Sequence, residues 1–308
     1  MSKRKIIIDC DPGHDDAIAI MMAIISPKLD LLGISVEAGN QTLEKTGKNA
    51  LNIVSYLGKD IPVSLGRGYP LKRKPQICVE IHGESGLDGF TFPNYDKQFD
   101  KRDAVTFLKD ILLENDKVTL VPTGPLTNIA LLIKEHPEVK SHIDEIVLMG
   151  GSIGHGNVTP AAEFNILCDP EAAEIVFNSG LKVKMIGLDV TRQVLVLPEI
   201  ISRMEKYQNK ASIMFTALMK VFNENQKKIF GFSGAPLHDP ATIVSLLDEE
   251  AIHFEYMNVE IDVSGGPSYG RTNCDQFNFL KRKPNAYVAT KINKDRYWDV
   301  VEDCIKRY

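Results

Sequence analysis

The chain predicts an α/β protein with one open, mostly parallel sheet flanked by helices. Short strand-like runs alternate with stretches of helical spacing through most of the 308 residues, the pattern of βαβ units. Polar residues recur just after those runs, where an open parallel sheet gathers its ligands. The composition, 44% hydrophobic and 25% charged, is that of a globular chain long enough for a large core. No repeat, low-complexity tract or linker divides it, so a single domain over residues 1–308 is expected.

Ile6, Ile7 and Ile8 form the first strand, which ends in Asp9; a Pro12-Gly13 turn leads to a helical pattern beginning near Asp16. Residues 31–36 read as a strand running into Asn40. Residues 43–57 show helical spacing through Leu43, Thr46, Ala50, Ile53, Val54 and Leu57, with Gly58 as the stop. Residues 61–66 are a short strand. After an interruption, a helix at 103–114 precedes a strand at 117–124, a helix at 126–135 and a strand at 144–151. Asp169 and Pro170 then open a helix that Gly180 ends. Residues 182–190 read as a strand and 198–230 as amphipathic helix, with Ile201, Met204, Ile213, Phe215, Leu218, Met219 and Phe222 as apolar positions. His238-Asp239-Pro240 repeats the device of an acid opening a helix. Strands near 257–263 and 286–292 and a helix containing Trp298 complete the pattern.

Residues 66–103 break this rhythm with five glycines, three prolines and the basic run Lys72-Arg73-Lys74. So long a loop in a compact domain is usually functional, and a flap near the site is expected, with the basic run as a solvated face.

The net charge of −5 and pI near 5.9 argue against nucleic acid or an anionic membrane as partner. MSKRK is followed by only three apolar residues before Asp9, too few for a signal-peptide core. The longest apolar run, Ala17–Ile25, is half a membrane span. Five scattered cysteines without a CxxC pair fit reduced thiols and a cytoplasmic location. The glycines at 150, 151, 154 and 156 lack dinucleotide-loop spacing, and GxxxxGK[ST], GxSxG and HExxH are absent.

The chemistry concentrates in KIIIDCDPGHDDAIAIM, where Asp9, Asp11, Asp15 and Asp16 fall within eight residues. Two carboxylates ~4 Å apart repel by roughly 4 kcal/mol at an effective dielectric near 20, and a helix N-terminus offsets only ~0.3–1 kcal/mol per acid. Either water solvates these acids at a helix start, or a hard cation such as Ca²⁺ or Mg²⁺ sits among them. Asn40, Thr123, Glu163, Asn165, His238 and Asp239 also fall where strands should end. A site rich in Asp and Asn without an Arg cluster suits a neutral polyhydroxylated ligand, because a vicinal diol can replace two waters on the cation.

IIIDCDPGHDDAIAI, VEAGNQT, VPTGPLTNIA, VLMGG, AEFNILCDPEAA and the Leu237–Asp239 segment together resemble the inosine–uridine nucleoside hydrolase family, in order along nearly the whole chain. The resemblance implies an open sheet with a Rossmann-like core, bound Ca²⁺, a homodimer or homotetramer, and hydrolysis of the N-glycosidic bond of ribonucleosides to ribose and free base. It makes Asp11, Asp16, Asp239 and the backbone carbonyl of Thr123 the Ca²⁺ ligands, the Thr123 side chain being replaceable. Asp11 becomes the base that activates a metal-bound water, and Asp9 support behind the ligands. Asp15, Asn40, Glu163 and Asn165 become the ribose-binding set, with Met149 beside the sugar. His82 and His238 fall to the base side, His238 as leaving-group acid on the strength of its ordinary pKa. The segment 198–235 becomes the helical base-side wall. Pyrimidine-preferring members carry a Gln and a Tyr one helical turn apart there; Gln226 matches, whereas Phe230 stands at the Tyr position. Uridine and cytidine remain the expected substrates ahead of inosine.

Two other readings use the same acids. A haloacid-dehalogenase-type phosphatase would take Asp9 as nucleophile and Asp11 as acid/base with Mg²⁺, but Pro12 follows the DxD and the further lysine and acidic pair of that class are not evident. A non-catalytic Ca²⁺-dependent sugar- or nucleoside-binding protein would keep the ligands; the retained Asp11 favours catalysis.

Overall fold

The computed structural model describes residues 3–308. In chain order the elements are β1 (Arg4–Cys10), α1 (His14–Ile25), β2 (Leu29–Val36), α2 (Leu43–Tyr56), β3 (Val63–Leu65), α3 (Val79–His82), α4 (Ala104–Glu114), β4 (Val118–Pro122) and α5 (Thr127–Glu135). A 3₁₀ turn follows, then β5 (Ile143–Met149), α6 (Phe164–Cys168), α7 (Pro170–Phe177), β6 (Val183–Ile186) and α8 (Leu188–Thr191). Then come β7 (Leu195–Val196), α9 (Pro198–Glu205), α10 (Lys210–Phe230), β8 (Ala235–Pro236) and α11 (Pro240–Leu247). The last elements are β9 (Ile252–Met257), β10 (Val259–Ile261), β11 (Thr272–Cys274), β12 (Ala286–Ile292) and α12 (Lys294–Lys306).

Eight strands form one sheet in the order β3-β2-β1-β4-β5-β6-β12-β9. All neighbours are parallel except β12 and β9, the antiparallel pair at one edge. The alternation of side chains along a strand divides the apolar residues between two cores. Ile6 and Ile8 pack with α1, α2, α10 and α12 on one face, while Ile7 joins Phe107, Leu120 and Ile129 under α4 and α5 on the other. Burial on both faces explains why the strands read as continuous apolar runs. The chain goes from β1 outward to β2 and β3, then returns to β4 on the other side of β1. The crevice between β1 and β4 is therefore the topological switch point, and Asp11 and Thr123 follow those two strands.

Several local expectations are corrected. The helical stretch 198–230 is two helices, because Gln208 adopts φ +52° and Asn209 caps a new helix by accepting from Ser212 N–H. Ile213 is exposed on α10 and is not core. The strand expected at 182–190 ends at Ile186, and Gly187 starts the one-turn helix α8. Of residues 257–263 only Met257 belongs to the main sheet, as the end of β9, which supplies that edge; β10 pairs with β11 instead. The 66–103 segment contains a single turn of helix, α3, and Arg73 of its basic run donates to the Leu167 carbonyl rather than standing free in solvent. No helix among the described residues is long and apolar enough to cross a membrane.

Candidate active site

The C-terminal ends of β1, β2, β4 and β5 open into a cleft continuous with solvent, the place where open α/β sheets gather their ligands. Asp15, Asn40, Thr123, Asp239, Met149, Glu163, Asn165, His82, Gln226, Phe230 and His238 all line it. Asp11 and Asp16 are fully buried beneath. Thus the residues singled out in the sequence come together, although their segments lie up to 228 positions apart between Asp11 and Asp239.

The floor is built on the turn after β1. Asp11 Oδ2 accepts from the Asn40 N–H at 2.6 Å, while buried Asp11 Oδ1 has no hydrogen-bond partner. Gly39 admits this carboxylate: a Cβ there would stand 2.1 Å from Asp11 Oδ2. Asp16 accepts from Thr123 Oγ1 at 2.8 Å, from Gly13 N–H at 2.9 Å and from Asn40 Nδ2 at 3.1 Å. The Thr123 side chain therefore holds a carboxylate and is not a free position. Asp239 occupies the start of α11, yet its side chain makes no capping bond. Its carboxylate instead joins Asp15 and Asp16, with one oxygen of each within 4.8 Å of the others.

Burial raises the pKa of Asp11, Asp15, Asp16 and Asp239; repulsion from neighbouring acids adds to the effect at Asp11, Asp15 and Asp239, whereas hydrogen bonds oppose it at Asp16, and Asp15 is pushed up to about 7. None of the ion pairs among the described residues includes any of the four. Four buried acids without a basic partner, one bearing an orphaned oxygen, fit a hard divalent cation held by oxygen. The solvated-turn reading fails on burial. The cluster includes Asp15, which the resemblance assigned to the sugar, and leaves Asp11 just outside.

Asn165 ties two strand ends together, its Nδ2 donating to the carbonyls of Thr123 at 2.7 Å and Met149 at 3.1 Å. Glu163 caps α6 by accepting from Asn165 N–H, and its other oxygen accepts from Gly151 and Ile166 N–H. Burial and then Arg192 lower the His238 pKa to about 3. A pKa near 3 leaves its imidazole neutral at pH 7, so an ordinary histidine pKa is no basis for calling it an acid. Its Nδ1 lies 2.7 Å from Thr191 Oγ1. Phe230, at 42% exposed, stands at the mouth stacked against Phe232, whereas Gln226 is buried with an unpartnered Oε1.

Sequence reasoning missed several residues. Phe222 and Asn157 line the cleft. Glu37, wholly buried with neither oxygen hydrogen-bonded, lies close to Asp9, which accepts from Ser35 and Asn128. His14 is fully buried against His82. Only His14 carried a local signal, as a histidine inside the acidic turn.

A family model described as inosine-uridine preferring nucleoside hydrolase matches residues 6–299. The chain belongs to that family. This nucleoside hydrolase is 47% identical over 309 aligned positions to the pyrimidine-specific ribonucleoside hydrolase RihB of Shigella sonnei, covering 100% of this chain and 99% of the relative. It is 46% identical to the protein of the same name from Escherichia coli O9:H4, with the same coverage. Among solved structures, the purine-preferring ribonucleoside hydrolase from Gardnerella vaginalis superposes with a TM-score of 0.91 at 32% identity, over 98% of this chain and 99% of that one. The plant nucleoside hydrolase PpNRh1 gives 0.92 at 29% identity, over 99% of each chain. The protein is thus an N-glycosyl hydrolase of nucleosides, with an aspartate cluster suited to a metal ion.

Proposed function

We propose that this nucleoside hydrolase is Ca²⁺-dependent and prefers uridine and cytidine, with inosine a poorer substrate. The observation carrying the mechanism is the orphaned, buried Asp11 Oδ1 beside a carboxylate cluster at the sheet's switch point. We assign Asp11, Asp16, Asp239 and the Thr123 carbonyl to the cation, and Asp15, Asn40, Glu163, Asn165 and Met149 to the ribose. A Ca²⁺ held there would bind the ribose 2′- and 3′-hydroxyls and lower the pKa of a water.

Asp11 Oδ1, having no other partner, takes a proton from the attacking water as its oxygen bonds to C1′ of the sugar. The C1′–N bond breaks with its electron pair leaving on the base. The carboxylates around the ring stabilise the positive charge that develops on the sugar. His238, His82, Gln226 and Phe230 face the base, His238 as a neutral hydrogen-bonding group. The 66–103 segment serves as a flap through His82, and the 198–235 segment as the base-side wall.

The pyrimidine preference is supported by the 47% identity to a relative named pyrimidine-specific and by the free Oε1 of Gln226. Phe277, Phe279 and Leu280, exposed together on one loop, support a homo-oligomer, dimer or tetramer. Five free cysteines support a cytoplasmic location. A reducing-sugar assay across uridine, cytidine, inosine, adenosine and a nucleotide tests the reading. Release of ribose fastest from uridine and cytidine supports it. Release of phosphate alone, or binding without turnover, overturns it.

A further inference from the structure

The loop 150–156, which leads from β5 toward Glu163, holds four glycines without dinucleotide-loop spacing. Its backbone is committed to side chains from outside it. Four successive N–H groups donate to side-chain oxygens. Gly151 reaches Glu163 Oε2 at 2.9 Å and Ser152 reaches Thr272 Oγ1 at 2.9 Å. Ile153 reaches Asp189 Oδ2 at 2.6 Å and Gly154 reaches Asp189 Oδ1 at 3.0 Å. The next two carbonyls, of His155 and Gly156, accept from the Arg192 guanidinium at 3.1 and 2.7 Å.

Successive N–H groups of this kind form a nest, a concavity suited to an anion. Here the chain supplies the anion, because both oxygens of Asp189 are bound there, and the glycines hold a carboxylate in place of a phosphate. Asp189 lies in α8 and Arg192 is its C-terminal cap; three residues apart on one turn, they reach the loop from the same side. Beyond this grip the loop turns back on itself. A Cβ on Gly156 would stand 2.1 Å from the Ala162 carbonyl, and Asn157 Oδ1 accepts from Phe164 N–H at 2.9 Å. Asn157 and Val158 line the cleft with Glu163. The grip ends at residue 156 and the cleft lining begins at 157, so no free length of chain separates them.

We propose that Asp189 is a positioning residue, the built-in anion of the glycine loop, which with Arg192 holds Asn157 and Val158 in place at the cleft. The proposal rests on the hydrolase reading above, in which Glu163 meets the ribose. Asp189 touches no substrate; it acts through the backbone of 153–156, and a displaced loop costs alignment of the sugar.

Deleting the carboxylate and returning it as a free ion tests this. In Asp189→Ala, hydrogen exchange at Ile153 and Gly154, followed on peptides spanning 150–158, is expected to quicken about tenfold or more, as for loss of a charged hydrogen-bond acceptor. The value of kcat/KM should fall about tenfold or more on uridine, and by the same factor on p-nitrophenyl riboside, which shares the ribose and not the base. Formate should restore both the slow exchange and kcat/KM in the variant while leaving wild type unchanged. Unchanged exchange, faster exchange without loss of kcat/KM, a loss confined to uridine, or no recovery in formate overturns the proposal. The exchange arm needs no turnover, so it decides the anchoring even where the hydrolase reading fails. Arg192→Ala takes the same course, its loss of kcat/KM recovered by guanidinium ion and not by formate. It keeps the proposal testable where Asp189→Ala does not fold, and failure of guanidinium to restore it overturns the role of the grip.

Discussion

Thr123, just after β4, is tied to Asp16 in the first turn of α1: the Thr123 hydroxyl donates to Asp16 Oδ1 at 2.8 Å, 107 residues apart in sequence. The same residue offers its carbonyl to Asn165, so Thr123 serves the floor of the cleft through backbone and side chain alike. Groups that orient metal-binding carboxylates typically matter about 10–100-fold for affinity or activity. Thr123→Val, nearly isosteric, is expected to weaken Ca²⁺ binding by about tenfold. Calorimetric titration checks this, and unchanged affinity would show that the hydroxyl is dispensable.

Asp11→Asn keeps shape and removes the proton acceptor. Turnover of uridine should fall by about 10²–10⁴-fold, measured as reducing sugar released at saturating Ca²⁺. Near-normal turnover would remove Asp11 from the mechanism.

Chelation bares four buried acids that no basic side chain balances. Melting temperature should drop by about 5 °C or more when a chelator strips the enzyme, since saturation at about 100 times Kd is worth ~2.7 kcal/mol. Ca²⁺ is expected to restore both stability and activity at lower concentration than Mg²⁺. Indifference of a metal-stripped sample would exclude the cation role.

Gln226→Leu removes the free buried Oε1 from the base side at similar volume. The ratio of kcat/KM for uridine over inosine should fall about tenfold, roughly the worth of one lost hydrogen bond. An unchanged ratio would place base choice elsewhere, Phe230 being the next residue to vary.

Far from the cleft, Glu302 accepts from Arg203 and from the Tyr207 hydroxyl. The Arg203 hydrogen bond is the largest influence lowering its pKa, from 4.5 to about 2. A carboxyl whose folded pKa is depressed stabilises the fold above its unfolded value and loses that contribution as pH falls through the folded one. Glu302→Gln should therefore lower the melting temperature at pH 7 by about 2 °C, on the order of 1 kcal/mol for a partly exposed pair. Between pH 4.5 and 2 the gap to wild type should close. A gap constant down to pH 2 would show that Glu302 acts by packing rather than charge.

The alternation of strand and helix, the acidic turn and the polar strand ends were legible because each is a local pattern of one or two turns of chain. Asp169 could be read as a cap from its neighbours, and it does accept from Ala172 N–H. Asp239 shows the same Asp-Pro signature yet makes no cap, because its carboxylate converges with those of Asp15 and Asp16 where α1 and α11 meet. His238 looked like an acid from its ordinary pKa, and only its burial beside Arg192 lowers that pKa to about 3. The contact between His14 and His82 spans 68 residues, and no local pattern pairs the two segments.

By itself, then, the sequence of this nucleoside hydrolase determined which elements form and which polar residues end them, since hydrophobic period and turn chemistry act between near neighbours. The tertiary structure decided how the acids of IIIDCDPGHDD divide: Asp16 held by Thr123, Asp15 joined to Asp239, Asp11 left with one bare oxygen. Desolvation and pairing set those roles, and both depend on what remote strands bring to within a few ångströms of a side chain.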